Sequence, residues 1–312
     1  MSAAALAGGY AADLLFGDPR RGHPVAGFGR LALALERRAY APTRLRGTLF
    51  AGALVAGAAL AGELLARVAG RRAALVLVTW TALGGRSLAR EARALAAHVR
   101  RGDLPAARAA LPALCGRDPA GLGGPQLCRA AVESVAENTG DAVVGALLWG
   151  ALLGPGGAAA YRAANTLDAM VGHRSARYAE FGWAAARLDD ALSWPGARGA
   201  ALLAALCAPL AGGRPGAAWR TLRRDGAAHP SPNAGRVEAA FAGALGLRLG
   251  GPLVYGGRSE LRPALGDGRA PDVADVERAV RLSLAVGASA ALGCAALSAA
   301  QPLRGRRERR AR

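Results

Sequence analysis

ESVAENTGDAVVGALLWGALLGPGGAAAYRAANTLDAMVGHRSARYAEFGWAAARLDDALSW, from Glu133 to Trp194, decides how this chain is read. Carboxylates, amides and arginines alternate there with apolar runs suited to lipid. A buried polar group without a partner costs on the order of several kcal/mol, so such residues must be paired or functional. The stretch therefore reads as part of a membrane-associated enzyme whose site is crowded with charge.

The composition around it points the same way. The chain has 312 residues, 52% hydrophobic but only 5% aromatic. Ala, Leu, Val and Gly supply the apolar bulk, and small side chains let helix backbones approach closely. Strand-forming residues are scarce, which argues against a sheet-based fold. The expected class is all-α: a polytopic integral membrane protein with several spanning helices, short re-entrant or kinked segments and helical cytoplasmic loops. All 40 basic residues are arginine and the formal charge is +18. Without lysine there is no P-loop lysine, no Schiff base and no lysyl nucleophile. Any phosphate or carboxylate clamp must use the bidentate guanidinium fork. Nucleic acid is not an expected partner, because the arginines sit between hydrophobic segments without an aromatic-rich basic motif. They fit the positive-inside rule instead. Cys115, Cys128, Cys207 and Cys294 lie far apart, as do the histidines, and show no zinc spacing. No cationic n-region or cleavage site is legible near Met1, so no signal peptide is expected.

A full span needs about 20 apolar residues. Val280 to Ala300 meets this, and Leu49 to Ala66 nearly does. In the latter, Glu63 stands four residues before Arg67, a spacing at which the two can pair, and Gly57 and Ala61 form a small-xxx-small step. Ala3 to Phe16, Ala73 to Leu83 and Ala200 to Leu210 are shorter apolar segments. Ala142 to Leu153 runs into Gly154-Pro-Gly-Gly157, a break that predicts two half-helices, a re-entrant hairpin or a kinked span. Arginine-rich linkers separate these runs: seven Arg in residues 18–48 and eight in 86–129, the latter opening on an amphipathic helix. Residues 304–312, with six Arg and one Glu, read as a disordered tail at the end of a single 1–312 domain.

Several constellations have the composition of a site. Glu133, Glu137 and Asp141, at i, i+4 and i+8, follow one helical face. Carboxylates so placed repel unless solvated or bridged by a cation. Oxygen-only ligands suit Mg²⁺, with substrate phosphates completing the shell, and Asn138 and Thr139 can add hydrogen bonds. The other reading is a solvated acidic face. Arg162, Asn165 and Asp168 share a second face, with Arg174 and Arg177 beyond Gly172. They form either a structural ion pair or a clamp for anionic oxygens. Arg187, Asp189 and Asp190 form a third group: one carboxylate can pair with the arginine while the other faces a metal, or the set closes a helix end. Arg224, Asp225, His229, Ser231 and Asn233 lie in RDGAAHPSPNAGRVEAA, a loop stiffened by two prolines. Ser231 or Asn233 can cap a helix beginning near Arg236, and His229 can bind phosphate or carry a proton. Asp18 and His23 sit just after the first apolar segment.

Taken in order, these motifs resemble a known family. Asp13-Leu-Leu-Phe-Gly-Asp18-Pro with His23-Pro-Val opens the series. Gly116-Arg-Asp118, Glu133-Ser-Val-Ala-Glu137-Asn-Thr139 with Asp141, and Arg162-x-x-Asn165-Thr-Leu-Asp168-x-Met-Val-Gly172 continue it. Phe181-Gly-Trp183 leading to Arg187-x-Asp189-Asp190, then Arg224-Asp225, His229-Pro-Ser-Pro-Asn233-Ala-Gly235 with Glu238, and Leu249-Gly-Gly-Pro252 complete it. The set is similar to the CobD/CbiB family of cobalamin biosynthesis, the adenosylcobinamide-phosphate synthases. It departs from the pattern at His173 and in the Pro-Gly-Ala-Arg order after Trp194. The resemblance implies an inner-membrane, multi-pass enzyme. It joins adenosylcobyric acid to aminopropanol or its phosphate in an ATP-dependent amide ligation, with ATP and Mg²⁺ as cofactors. Implied partners are the corrinoid, the amine, membrane lipid and other cobalamin-assembly enzymes. The catalytic candidates are then Glu133, Glu137, Asp141, Asp168, Asp189, Asp190 and His229, of which Glu133, Glu137 and Asp141 are the Mg²⁺ candidates. Asp18, His23, Asn138, Arg162, Asn165, Arg174, Arg187, Arg224, Asp225, Ser231 and Asn233 are candidates for substrate or phosphate. A non-enzymatic membrane sensor on the same scaffold is the alternative; it would tolerate an eroded carboxylate set, whereas here the set is intact. A transporter would show repeat halves, and none is visible.

Overall fold

Helices account for most of the chain because Ala and Leu dominate it and glycines and prolines fall mainly at element ends. A computed structural model describes residues 3–19, 21–173, 175–255 and 258–310, of which 254–255, 258–259 and 301–310 are described by backbone alone. The chain begins with α1 (Ala3–Phe16), α2 (Pro24–Ala39), α3 (Arg44–Ala69) and α4 (Arg71–Ala82). Next come α5 (Gly85–Arg100), α6 (Leu104–Ala110) and α7 (Gly124–Asn138), which runs into a π-helical turn (Thr139–Gly145). α8 (Ala146–Leu153), α9 (Pro155–Val171), α10 (Trp183–Cys207), α11 (Pro215–Asp225) and α12 (Ala234–Leu245) follow. A hairpin of β1 (Leu249–Tyr255) and β2 (Arg258–Leu265) precedes α13 (Val273–Arg310). The fold is all-α apart from this antiparallel hairpin, which the strand-poor composition hides. Side chains of the Arg304–Arg312 run lie outside the described residues.

Packing sorts the chain into two compact units. The first comprises Met1–Gly84, Ala142–Trp194 and Ala290–Arg312; the second comprises Gly85–Asp141 and Pro195–Ser289. In the first, α3 lies antiparallel along α9. Gly47 faces the Phe181 carbonyl near the start of α3, and Gly62 faces Pro155 and Gly156 near its end. Phe50, Leu54, Leu167, Val171 and Phe181 fill the seam. The half-helix reading holds: α8 ends and α9 begins at Gly154, whose φ of 78° suits glycine and allows the sharp reversal. The Gly156 amide, an orphan donor at the start of α9, donates to Glu63 Oε1 at 3.2 Å. Glu63 also pairs with Arg71 at 2.9 Å, so its partner is not Arg67. The expected contact step is displaced as well. Gly57 and Ala61 are exposed, and Gly62 makes the close approach.

In the second unit α5 buries Ala89, Ala92, Leu95 and Ala96, the amphipathic face its periodicity predicts, and packs on α6 and α7. α12 is buried along its length and packs on α7 and α11. The hairpin runs beside α12, with Gly251 opposite Arg262 and Leu253 opposite Glu260.

Three helical segments among the described residues are long and apolar enough to cross a membrane: Arg44–Ala69, Trp183–Ala211 and Val273–Ala300. Two contain the expected spans. The third corrects the reading of Ala200–Leu210 as a partial span. Pro195 does not end the helix but lies inside it, so the segment extends back to Trp183. Leu49, Leu60, Leu64 and Val68 on α3 are exposed, as a lipid-facing surface requires.

The Gly62 contact yields a direct test. A Cβ at Gly62 would lie 2.7 Å from the Pro155 carbonyl oxygen, whereas one at Gly57 would meet nothing within 4 Å. Gly62→Val is expected to lower the thermal midpoint of the detergent-solubilised protein by an overpacking cost of about 1–3 kcal/mol. Gly57→Val should leave the midpoint within error.

Candidate functional site

The candidate residues gather in two polar groups, one in each unit. In the second unit α7 carries Glu133 and Glu137, one helical turn apart on the same side. Glu133 is buried and accepts a very short hydrogen bond from Arg117. Its other oxygen accepts the Gly250 amide at 2.8 Å, and Arg129 Nε stands 3.7 Å away. Arg129 in turn donates to the carbonyls of Gly250 and Pro252. Glu133 is thus the anchor of the β-hairpin, and both its oxygens are engaged. As a Mg²⁺ ligand, the role expected of it, Glu133 would share these oxygens with Arg117 and the Gly250 amide. Glu137 and Asp141 are half-buried, and Asp141 lies in the π-helical turn, a distortion often found at functional sites. Among the described residues no group of three or more His, Cys, Asp or Glu side chains is arranged to hold a metal ion. The donors fit Mg²⁺ only in its sparse mode, one or two carboxylates completed by phosphate oxygens and water. Glu137 and Asp141 are the residues that fit that mode. Asn138 turns inward, donating to the Ser134 carbonyl at 3.0 Å.

His229 and Glu238 are both buried in this unit, 3.8 Å apart. They are not an ion pair. Burial, reinforced by Arg262, pushes the His229 pKa down to about 4. Burial, reinforced by Glu133 and Glu137, raises Glu238 well above the usual carboxylate range. The Ser231 amide donates to His229 Nδ1 at 3.0 Å. Arg262, which can only donate, points Nη1 at Nε2 across 3.1 Å, so donors face both ring nitrogens. His229 is thus a buried imidazole held by its own loop beside Arg262, and its depressed pKa favours the neutral ring. Ser231 Oγ accepts the Asn233 and Ala234 amides and so caps α12, which starts at Ala234, two residues before the expected Arg236. The Asn233 side chain instead accepts from Arg198 at 2.9 Å. Arg224 forks onto Asp225 at 2.7 and 2.8 Å and reaches Asp267 at 3.0 Å. Asp225 also accepts the Gly266 amide, and the Arg224 guanidinium holds its carboxyl below the usual range. This pair closes the far end of the hairpin, where Arg224, expected to meet substrate or phosphate, is engaged by two carboxylates.

In the first unit a relay of polar side chains joins α9 to α10. Arg162 donates to Asn165 at 3.2 Å, Asn165 to Asp189 at 3.3 Å, and Ser193 to the same Asp189 oxygen at 3.3 Å. Tyr161 lies 3.2 Å from Ser193. The i, i+3 spacing on α9 and the i, i+4 spacing on α10 bring these groups together. Asp190 points away, toward Arg187 at 3.8 Å, so the divergence expected of the adjacent carboxylates is observed. Asp168, half-buried, folds its carboxylate back over Gly172. Arg162 and Thr166 also line an otherwise apolar cavity of about 460 Å³ walled by α3, α4 and α9. His23 caps α2, accepting the Val25 amide at 3.1 Å, and lies 3.6 Å from Asp18; both are positioned as structural groups. Arg174 lies outside the described residues.

Sequence reasoning placed Arg117 and Glu238 in ordered motifs but did not name them as site residues, and it passed over Arg129, Arg262 and Glu36. Glu36 is buried and accepts from Arg177 and Tyr178, each at 2.9 Å. The available signal for Arg117 was its place beside Asp118 in a Gly-Arg-Asp motif. The local signal for Arg129 was its i, i+4 spacing to Glu133; its hydrogen-bond partners, Gly250 and Pro252, lie more than a hundred residues away.

The model of a family described as CobD/Cbib protein matches residues 6–283. "Cobalamin biosynthesis protein CobD" of Mycobacterium tuberculosis (strain H37Rv) is 56% identical over 283 residues, 90% of each chain. Its counterpart from Geobacter metallireducens is 46% identical over 269 residues, 82% of this chain and 83% of the relative. That from Chromobacterium violaceum is 43% identical over 280 residues, 86% and 88%. No solved structure matches.

The buried imidazole predicts a pH signature. Because the folded pKa of His229 is depressed, the unfolded chain takes up the proton first as pH falls. Stability from the neutral ring is complete above about pH 6.5 and declines toward pH 4, by at most about 3 kcal/mol. Glu238, whose folded pKa is raised, works in the opposite sense: its cost is greatest at neutral pH and is relieved as pH falls toward about 4.5, the unfolded carboxyl range. Thermal unfolding from pH 7.5 to 4.5 should therefore show a smaller acid-side loss in His229→Asn than in the unmodified protein. Equal losses would contradict the buried neutral ring.

Proposed function

Because this chain belongs to the CobD/Cbib family, and with it to cobalamin biosynthesis, we propose that it is an amide ligase of the membrane. It joins adenosylcobyric acid to aminopropanol or aminopropanol phosphate at the expense of ATP, at a bacterial inner membrane that the chain crosses more than once. Three helical segments of spanning length support the location. The single observation that carries the chemistry is the pair of polar groups set among apolar helices in a chain 41–56% identical to relatives of that family.

The reaction dictates which residue types are needed. A carboxylate is a poor electrophile at neutral pH. Transfer of the ATP γ-phosphoryl group to its oxygen makes an acyl phosphate and releases ADP. The amine then attacks the acyl carbon, phosphate leaves, and the amine's proton passes to a base. Glu137 and Asp141 would hold Mg²⁺, which supplies charge neutralisation at the phosphates when bound. Arg162, oriented by Asn165, presents a guanidinium suited to an anionic oxygen. Asp189, fixed by Asn165 and Ser193, is the carboxylate of the first unit that we propose as a base. Ser231 and His229 act by holding the start of α12.

Purified protein in lipid nanodiscs, given the corrinoid acid, ATP, Mg²⁺ and either amine, should form the amide and ADP in equal amounts. Glu137→Gln keeps shape and removes charge; turnover should fall by about two orders of magnitude or more with the thermal midpoint retained. Amide formation without ATP, or by Glu137→Gln at the normal rate, would count against the assignment. Failure of the protein to complement a strain blocked between cobyric acid and cobinamide would sink the reading as a whole.

A further inference from the structure

α11 presents a face that nothing in its own unit covers. Its inner side, Ala218, Thr221 and Leu222, is buried against α12, where Gly243 faces the Ala217 carbonyl and Thr221. The outer side is an arc of about 100° at helical spacing that carries Trp219, Arg220 and Arg223, all exposed. No hydrogen bond or ion pair engages these three among the described residues. An indole left in water forfeits apolar burial, and guanidinium groups clustered on one face repel.

The position of the helix in the chain says what such a face meets. The spanning segment Trp183–Ala211 ends three residues before Arg214, the N-cap of α11, and turns at Gly212, a left-handed residue with φ of 68°. Even fully extended, the few residues from Ala211 to Pro215 reach no more than about 14 Å. The headgroup layer beyond the hydrocarbon is about 5–8 Å thick on each side. α11 therefore starts at or beside the lipid–water boundary of the segment it follows. Leu202, Leu206 and Leu210, exposed at i, i+4 and i+8, mark a lipid-facing stripe down to that boundary.

We infer that α11 is an interfacial helix that docks on the anionic phospholipid surface. Trp219 sits at headgroup depth, where an amphipathic ring is at its most stable. Arg220 and Arg223 meet lipid phosphates, which answers their mutual repulsion. Arg224, held by Asp225 and Asp267, stays with the hairpin and takes no part. The inference rests on Trp183–Ala211 crossing the membrane and is independent of the ligase chemistry.

The test uses the full protein in nanodiscs of phosphatidylcholine alone or mixed with phosphatidylglycerol. Lipids brominated near the headgroup quench indoles at that depth, and the difference between the unmodified protein and Trp219→Phe isolates this residue from the other four tryptophans. Trp219 should be quenched strongly, and more so with phosphatidylglycerol. In native mass spectra of protein released from mixed nanodiscs, Arg220→Gln/Arg223→Gln should retain less phosphatidylglycerol, by about fivefold per arginine, with unchanged thermal midpoint. An unquenched Trp219 with water-like emission overturns the inference. So does phosphatidylglycerol retention that is the same with and without the two arginines.

Discussion

Glu133 is the constraint on which the second unit depends. A buried carboxylate is tolerable only when its charge is matched and its lone pairs are filled. Here Arg117 matches the charge and the Gly250 amide fills the remaining oxygen. Because that amide belongs to the hairpin, neutralising one charge on α7 also places β1. Arg129, one turn earlier on the helix, takes the Gly250 and Pro252 carbonyls and fixes the strand's rotation. Removing either arginine would leave a charge buried in an apolar setting, so the hairpin is held as firmly as the helix beneath it. Glu238 lies in the same field, and burial, reinforced by Glu133 and Glu137, raises its pKa well above the usual carboxylate range.

The first unit solves the same problem with small residues. Gly62 and Gly156 allow α3 and α9 to approach until backbone touches backbone, and Gly47 admits the Phe181 carbonyl beside α3. Close approach is what lets Glu63 reach across to the first free amides of α9. The polar relay from Arg162 to Tyr161 is then surrounded by tightly packed apolar helices, which exclude water and strengthen each hydrogen bond in it.

How much of this was legible depended on range. The spans at Leu49–Ala66 and Val280–Ala300, the break at Gly154 and the amphipathic face of α5 are local patterns of hydropathy and turn chemistry, and they survive folding. The divergence of Asp189 and Asp190 follows from helical geometry alone. Ala200–Leu210 reads as a short apolar segment because charged residues precede it, yet its helix starts at Trp183 and continues through Pro195, where a proline removes one helical hydrogen bond. Here burial of Gly196, Ala197 and Ala200 holds the helix together across the missing amide. Glu133 was read as a metal ligand because its spacing to Glu137 shows a shared face but not what lies opposite. Its partners, Arg117 and Gly250, come from other elements, and no local pattern encodes them. His229 shows a related limit: a rigid loop signals a fixed ring, but the burial and neighbouring guanidinium that depress its pKa come from other elements. The hairpin was invisible because Gly-Gly-Pro is a poor strand sequence, stabilised here by arginine from below.

The bond from Gly250 to Glu133 joins groups 117 residues apart. A ribosome adds about 5–20 residues per second, so about 6–23 seconds separate synthesis of the carboxylate from synthesis of its amide partner. During that interval α7 and Arg117 exist without the strand that completes them, while helices made in between are already entering the bilayer. The nascent chain must therefore wait with a half-satisfied ion pair. The second unit reaches its final form only as translation nears its end, and a chain truncated before Leu249 would keep the Arg117 pair but lack the amide that fills the second oxygen of Glu133.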